Sequence, residues 1–183
     1  MNYSQLFQTI KSKKFTKILV SGPQRSGTTF LSNVLSEDLN YKLYDELKTV
    51  DSFLEIKHKS VAQAPSMSSL LHKIPKQNDI VVIFVSRNCN DIIASCEKLK
   101  WGETNWNNYH GGEIAERRIL TSNCPNYLNK NIHSSYIKQN FWMSHQMHVM
   151  QVPYINIGYD FLQDHPKFKS KDLRVNFKAK QIL

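Results

Sequence analysis

Cysteine is scarce in this 183-residue chain, which has only Cys89, Cys96 and Cys124. Their odd number and irregular spacing offer no metal-ligand or redox pair and fit free thiols in a reducing compartment. Long apolar runs are also missing. The longest, Ile80 to Val85, is strand-sized and falls far short of the roughly 20 residues of a membrane span. Met1 to Lys14 lack the apolar stretch of a secretory signal, so a cytoplasmic location is expected. No internal repeat, low-complexity tract or linker divides the chain, which predicts one domain over residues 1–183. Acidic residues are in the minority, with 15 Asp and Glu against 24 Lys and Arg and a formal charge of +9. Such a surplus suits a solvated basic surface or an anionic partner: nucleic acid, membrane or a phosphorylated small molecule. The 40% hydrophobic and 21% charged content excludes a disordered or collagen-like chain.

What is present alternates between strand-like and helix-like patterns. Thr16 to Ser21 is a β-branched and apolar run that reads as a buried strand. It enters Gly22 to Thr29 and then a segment whose apolar residues, Phe30, Leu31, Val34 and Leu35, are spaced as on a helix. Tyr41–Tyr44 and Leu54–His58 are weaker strand candidates, and Pro65–Ile74 reads as a short helix. Ile80–Val85 is apolar throughout, as in a strand covered on both faces of a parallel sheet. Asp91–Lys100 reads as a helix with Ile92, Ile93, Cys96 and Leu99 on one face. Trp101–Lys130, rich in Asn, Gly and aromatics, reads as a long loop with one short helix near Ile114–Leu120. Ser134–Met150 returns to helix, Tyr154–Tyr159 is a last strand, and the basic tail from Lys167 is expected to be loosely ordered. The alternation predicts a three-layer α/β/α domain around a central parallel sheet.

The segment Gly22 to Thr29 carries the clearest chemistry. Two glycines five apart, between a strand and a helix, place consecutive backbone N–H groups at a helix N-terminus, where an anion binds and the helix dipole assists. The hydroxyls of Thr28 and Thr29 can donate to phosphate oxygens, and Arg25 supplies a cation. Taken alone, two glycines would be an ordinary strand-to-helix turn. The strand, the helix, the arginine and the paired threonines together favour a phosphate loop. Thr28 stands where an ATP or GTP hydrolase would have its lysine, which speaks against that class.

Pro23, Gln24, Arg25, Ser26, Gly27, Thr28 and Thr29 together resemble the 5′-phosphosulfate loop of the sulfotransferases that use 3′-phosphoadenosine-5′-phosphosulfate (PAPS). That loop typically reads Pro, then Lys or Arg, Ser, Gly, Thr, Thr. Gln24 is an insertion between Pro23 and Arg25 that some sugar sulfotransferases share. The family's second signature is a strand ending in Arg, a turn, and a helix with Ser eight residues after the Arg. Arg87 and Ser95 match it after the Ile80–Val85 strand, with Asp91 in the turn and Cys89 where the family often has Pro. A weaker likeness runs through Ile157 to Leu162, near the Tyr-Glu-Asp-Leu segment after the family's last strand, and it reads as structural. The resemblance implies a P-loop sulfotransferase fold, PAPS as donor and adenosine 3′,5′-bisphosphate (PAP) as product. It also implies the loop residues on the 5′ group and Arg87 and Ser95 on the 3′-phosphate. His145 and His148 are three apart on a helix, but no third or fourth partner is suggested, so no metal is expected. The Arg-Lys-Gly element that cytosolic members place near the C-terminus is missing. Lys169, Lys171, Arg174 or the pair Arg117 and Arg118 are the candidates to replace it.

Sulfuryl transfer also needs a base to accept the acceptor's proton. Asp45-Glu46 falls at the offset of the acidic pair whose second member is the base in protein-tyrosine sulfotransferases, so Glu46 is one candidate. His58, in a loose match to the Lys-Thr-His at a strand end in cytosolic members, is the other, with Lys57 or Lys59 as possible helpers to Arg25. Each also has a plainer reading, as a solvated strand end or a basic turn. The aromatic and amide-rich stretch Trp101 to His110 suits a carbohydrate acceptor, or else a peptide tyrosine. PAPS is itself highly anionic, so the positive charge is explained without nucleic acid or membrane. The rival readings are a nucleotide or small-molecule kinase and a nucleotide binder without turnover.

Overall fold

In the computed structural model, which describes residues 1–23, 25–67, 70–98 and 144–168, the chain opens with helix α1 (Tyr3–Lys13). The sequence reading placed no element there. Its first turn is fixed by a reciprocal cap. The Asn2 side chain accepts the Gln5 backbone N–H, and the Gln5 side chain accepts that of Asn2, both at 2.9 Å. Tyr3, Leu6 and Ile10, three and four residues apart, form the buried stripe.

Strand β1 (Lys17–Ser21) is buried along its whole length and leads through the glycine-bounded loop into α2 (Thr28–Leu39). Next come β2 (Lys42–Tyr44), α3 (Val50–Glu55) and β3 (Ser60–Gln63). Leu54–His58 is therefore not a strand. Thr49 accepts the Ser52 backbone N–H at 3.1 Å and starts α3, whose Val50 and Phe53 turn into the core. The strand begins only at Ser60. Pro65–Ile74 forms two 3₁₀ turns, Pro65–Met67 and Leu71–Lys73, rather than one helix, although Leu70, Leu71 and Ile74 are buried as the spacing predicted. Then follow β4 (Ile80–Ser86), α4 (Cys89–Lys98), a helical stretch over 144–149 and β5 (Tyr154–Gly158).

The five strands form one all-parallel sheet in the order β2-β3-β1-β4-β5. Alternation along β1 sends Ile18 and Val20 to one face and Leu19 to the other. On the first face Leu6, Ile10, Leu31 and Leu35 from α1 and α2 pack against the sheet. On the second, Phe53, Met67, Leu71 and Ile74 do so. With both faces covered, β1 and β4 are apolar almost without interruption. None of the described helices is long and apolar enough to cross a membrane.

The connection after β1 passes over the first face and the one after β3 over the second. Between the C-terminal ends of β1 and β3 the sheet therefore has a topological switch point, the usual place for a ligand in an open α/β sheet. After β5 a 3₁₀ turn, Tyr159–Leu162, leads to His165, Lys167 and Phe168. The start of the basic tail is packed rather than loose. Lys167 pairs with Glu37, and Phe168 meets Phe30 and Tyr159 edge-on or tilted at 5.5 and 5.4 Å. The readings for Trp101–Lys130, for 134–143 and for the tail beyond Phe168 lie outside the described residues.

Candidate functional site

The loop between β1 and α2 folds tightly because both bounding glycines sit where a side chain cannot. A Cβ on Gly22 would stand 2.5 Å from the Val85 carbonyl oxygen and 2.9 Å from Ser26 Oγ. Gly27, at φ 105°, would place a Cβ 2.4 Å from the Tyr159 ring. Between them the Ser26 N–H donates to the Pro23 carbonyl at 3.0 Å, and Arg25 takes a left-handed φ of 66°. The N-cap of α2 is Gly27, which has no side chain to accept from the helix's first N–H groups. Ser26 is fully buried, and its hydroxyl has no hydrogen-bond partner among the described residues. Gln24 lies outside them.

The two segments that the sequence reading assigned to opposite ends of a nucleotide come together. Arg25 Nε donates to Ser95 Oγ at 3.1 Å, and an Arg87 terminal nitrogen donates to the Arg25 carbonyl at 3.0 Å. The Arg87 guanidinium lies 4.4 Å over the Tyr159 ring, with its Nε 3.8 Å from the Asp91 carboxylate one helical turn on. A nearly buried cation is thus compensated by a carbonyl, a ring face and a carboxylate. Asp91, expected only as part of the turn, holds Arg87.

Two members of the site were not predicted. Gln63, 4% exposed at the C-terminal end of β3, donates from Nε2 to the hydroxyls of both Thr28 and Thr29 at 3.2 Å. The available signal was a polar residue inside Val61-Ala62-Gln63-Ala64 just before Pro65, concealed while the strand was placed at 54–58. Tyr159, read as part of a structural segment, fills the space between Gly27 and Arg87.

The two candidate bases separate. Asp45 and Glu46 follow β2, and the next residue, Leu47, donates its N–H to the Gln63 carbonyl at 3.1 Å. That turn puts Glu46, exposed and at φ 54°, on the sheet edge that carries the loop. Desolvation by neighbouring protein raises the Asp45 carboxyl above its ordinary value, opposed by a hydrogen bond from the Glu46 backbone. His58 lies at the other edge. Its Nδ1 is 2.9 Å from Thr16 Oγ1 and 3.1 Å from Asp79 Oδ2, residues that precede β1 and β4. The structure therefore does not bring His58 to Arg25, and Lys57 and Lys59 stay with it ahead of β3. The strand end where the resemblance expects a histidine is occupied by Gln63, whose amide takes up no proton at neutral pH. Among the described residues no group of three or more His, Cys, Asp or Glu could hold a metal ion.

No family model matches the chain, and no curated protein matches it.

Proposed function

We propose that the chain binds PAPS and transfers its sulfuryl group to an acceptor hydroxyl, on a carbohydrate by preference. The observation that carries this reading is the meeting of Arg25 with Ser95 and Arg87, residues 70 and 62 positions away. A phosphate loop needs no such partner, whereas a ligand with anionic groups at both the 5′ and 3′ positions needs two neighbouring cationic anchors. The residues fit such a group. The Ser26 hydroxyl is buried without a partner among the described residues, the glycine N-cap leaves the first N–H groups of α2 without a side-chain cap, and the donors are cationic or N–H and O–H. PAPS supplies the transferable sulfuryl group. Arg25 and the loop N–H groups neutralise charge on the departing phosphate, Arg87 and Ser95 take the 3′-phosphate, and Glu46 accepts the proton.

The second reading is a binder of the bisphosphate without turnover. Gln63 favours it, because an amide occupies the strand end nearest the threonines. Calorimetric titration with adenosine 3′,5′-bisphosphate beside ADP separates both readings from a kinase. Preference for the bisphosphate, weakened at least tenfold by Arg87→Ala or Arg25→Ala, is expected on the scale of a lost charge-assisted contact, roughly 1.5–3 kcal/mol. Equal affinity for ADP would sink the 3′-phosphate assignment. Formation of PAP together with a sulfated saccharide from PAPS and a saccharide acceptor, lost in Glu46→Gln, then distinguishes transfer from binding alone.

A further inference from the structure

We infer that Gln63 is a positioning residue that makes the Thr28 and Thr29 hydroxyls donors to an anion. The inference rests on the anion-binding part of the reading above and requires neither the nucleoside nor the sulfuryl group. A carboxamide nitrogen carries two protons, and here it meets two acceptors, Thr28 Oγ1 and Thr29 Oγ1, each at 3.2 Å. A threonine hydroxyl can donate or accept. With its oxygen engaged by the amide N–H, its own proton is left for another acceptor. Both hydroxyls belong to the first two residues of α2, beside the uncapped N–H groups and the buried Ser26 hydroxyl.

The amide's orientation follows from what each choice would bury. Turned over, Oε1 would accept both hydroxyl protons, and two amide N–H groups would be buried without acceptors. As it stands, only Oε1 has no partner among the described residues, which is the smaller loss. Gln63 is held in place by the strand, since its residue pairs with Val20 in the sheet and its carbonyl accepts from Leu47. Two oriented neutral donors thus stand where a lysine would otherwise meet the phosphate.

The test is calorimetry on the full chain with inorganic pyrophosphate, run in parallel with adenosine 3′,5′-bisphosphate and ADP. Gln63→Met keeps the side chain's length and removes the donor, and is expected to weaken pyrophosphate binding about tenfold. Thr28→Val should weaken it in the native background and cost little more once Gln63 is Met, a non-additive cycle. Gln63→Glu gives a second readout. Its carboxylate accepts the hydroxyl protons, so the deficit relative to the native chain should be greatest at neutral pH and shrink as the group is protonated. The Met variant's deficit should not change with pH. Native affinity in Gln63→Met, or strictly additive losses, would overturn the inference. If Gln63→Met is too unstable to titrate, a pH-independent deficit in Gln63→Glu overturns it instead. The expected cycle without preference for the bisphosphate over ADP would remove the PAPS reading and keep this one. Failure to bind any of the three ligands would remove both.

Discussion

A single ring, that of Tyr159, meets both the loop and its second cation. It leaves no room for a Cβ at Gly27, and the Arg87 guanidinium lies over it. Gly27→Ala therefore combines a steric conflict with a φ of 105° that L-residues rarely adopt. Urea denaturation should show a loss of about 1–3 kcal/mol, and a stability equal to the native chain's would mean that the ring yields. Arg87, Ser95 and the loop were legible at this scale because glycine, arginine and hydroxyl chemistry announces itself by spacing. Tyr159 was not, since an aromatic residue after a strand reads the same whether it fills the core or supports a site.

At the scale of elements, the cap of α1 is the clearest local device. Asn2→Ala removes one half of the reciprocal bond and should lower stability by about 1 kcal/mol, read from the midpoint of thermal or urea unfolding. Asn2, Gln5, Leu6 and Ile10 spell that helix in the sequence, yet charged and polar neighbours dilute the pattern. The reverse error affected 54–58. Leu54, Ile56 and His58 alternate as in a strand, while Thr49, Val50 and Phe53 carry the signals of a helix start, and a six-residue helix is too short for its period to win. Where strands are buried on both faces, as in β1 and β4, the apolar run alone sufficed. β3 was lost because Ser60, Ala62 and Gln63 are small or polar, and only the sheet around them makes them a strand.

For the whole molecule, the two edges of the sheet have opposite tasks. The C-terminal edge gathers Arg25, Gln63, Arg87 and Glu46. The N-terminal edge is tied by Thr16, His58 and Asp79, which join the starts of β1, β3 and β4. The Thr16 hydroxyl, donating to Asp79 at 2.5 Å, is the main reason that the Asp79 carboxyl is held below its ordinary value. A lowered carboxyl contributes stability above its unfolded pKa of about 3.9, and that contribution disappears as pH falls through the folded value. Thr16→Val should accordingly flatten the acid limb of a stability-versus-pH curve below about pH 4. An unchanged slope would mean that another group holds Asp79. None of this knot was legible beforehand, because its three members are brought together only by the strand order.

That order also governs the chain as it is made. β1 lies at the centre of the sheet, yet its two hydrogen-bonding neighbours begin at Ser60 and Ile80. A nascent chain that has emerged only as far as α3 therefore exposes the apolar Ile18, Leu19 and Val20 of a strand with neither edge paired. Its ladder closes only after the intervening loops have been gathered in, an entropic cost met before any sheet contact offsets it. The ribosome thus releases the glycine-bounded loop long before there is a sheet to hold it, and until β4 emerges the chain depends on whatever shields Ile18, Leu19 and Val20 from other chains.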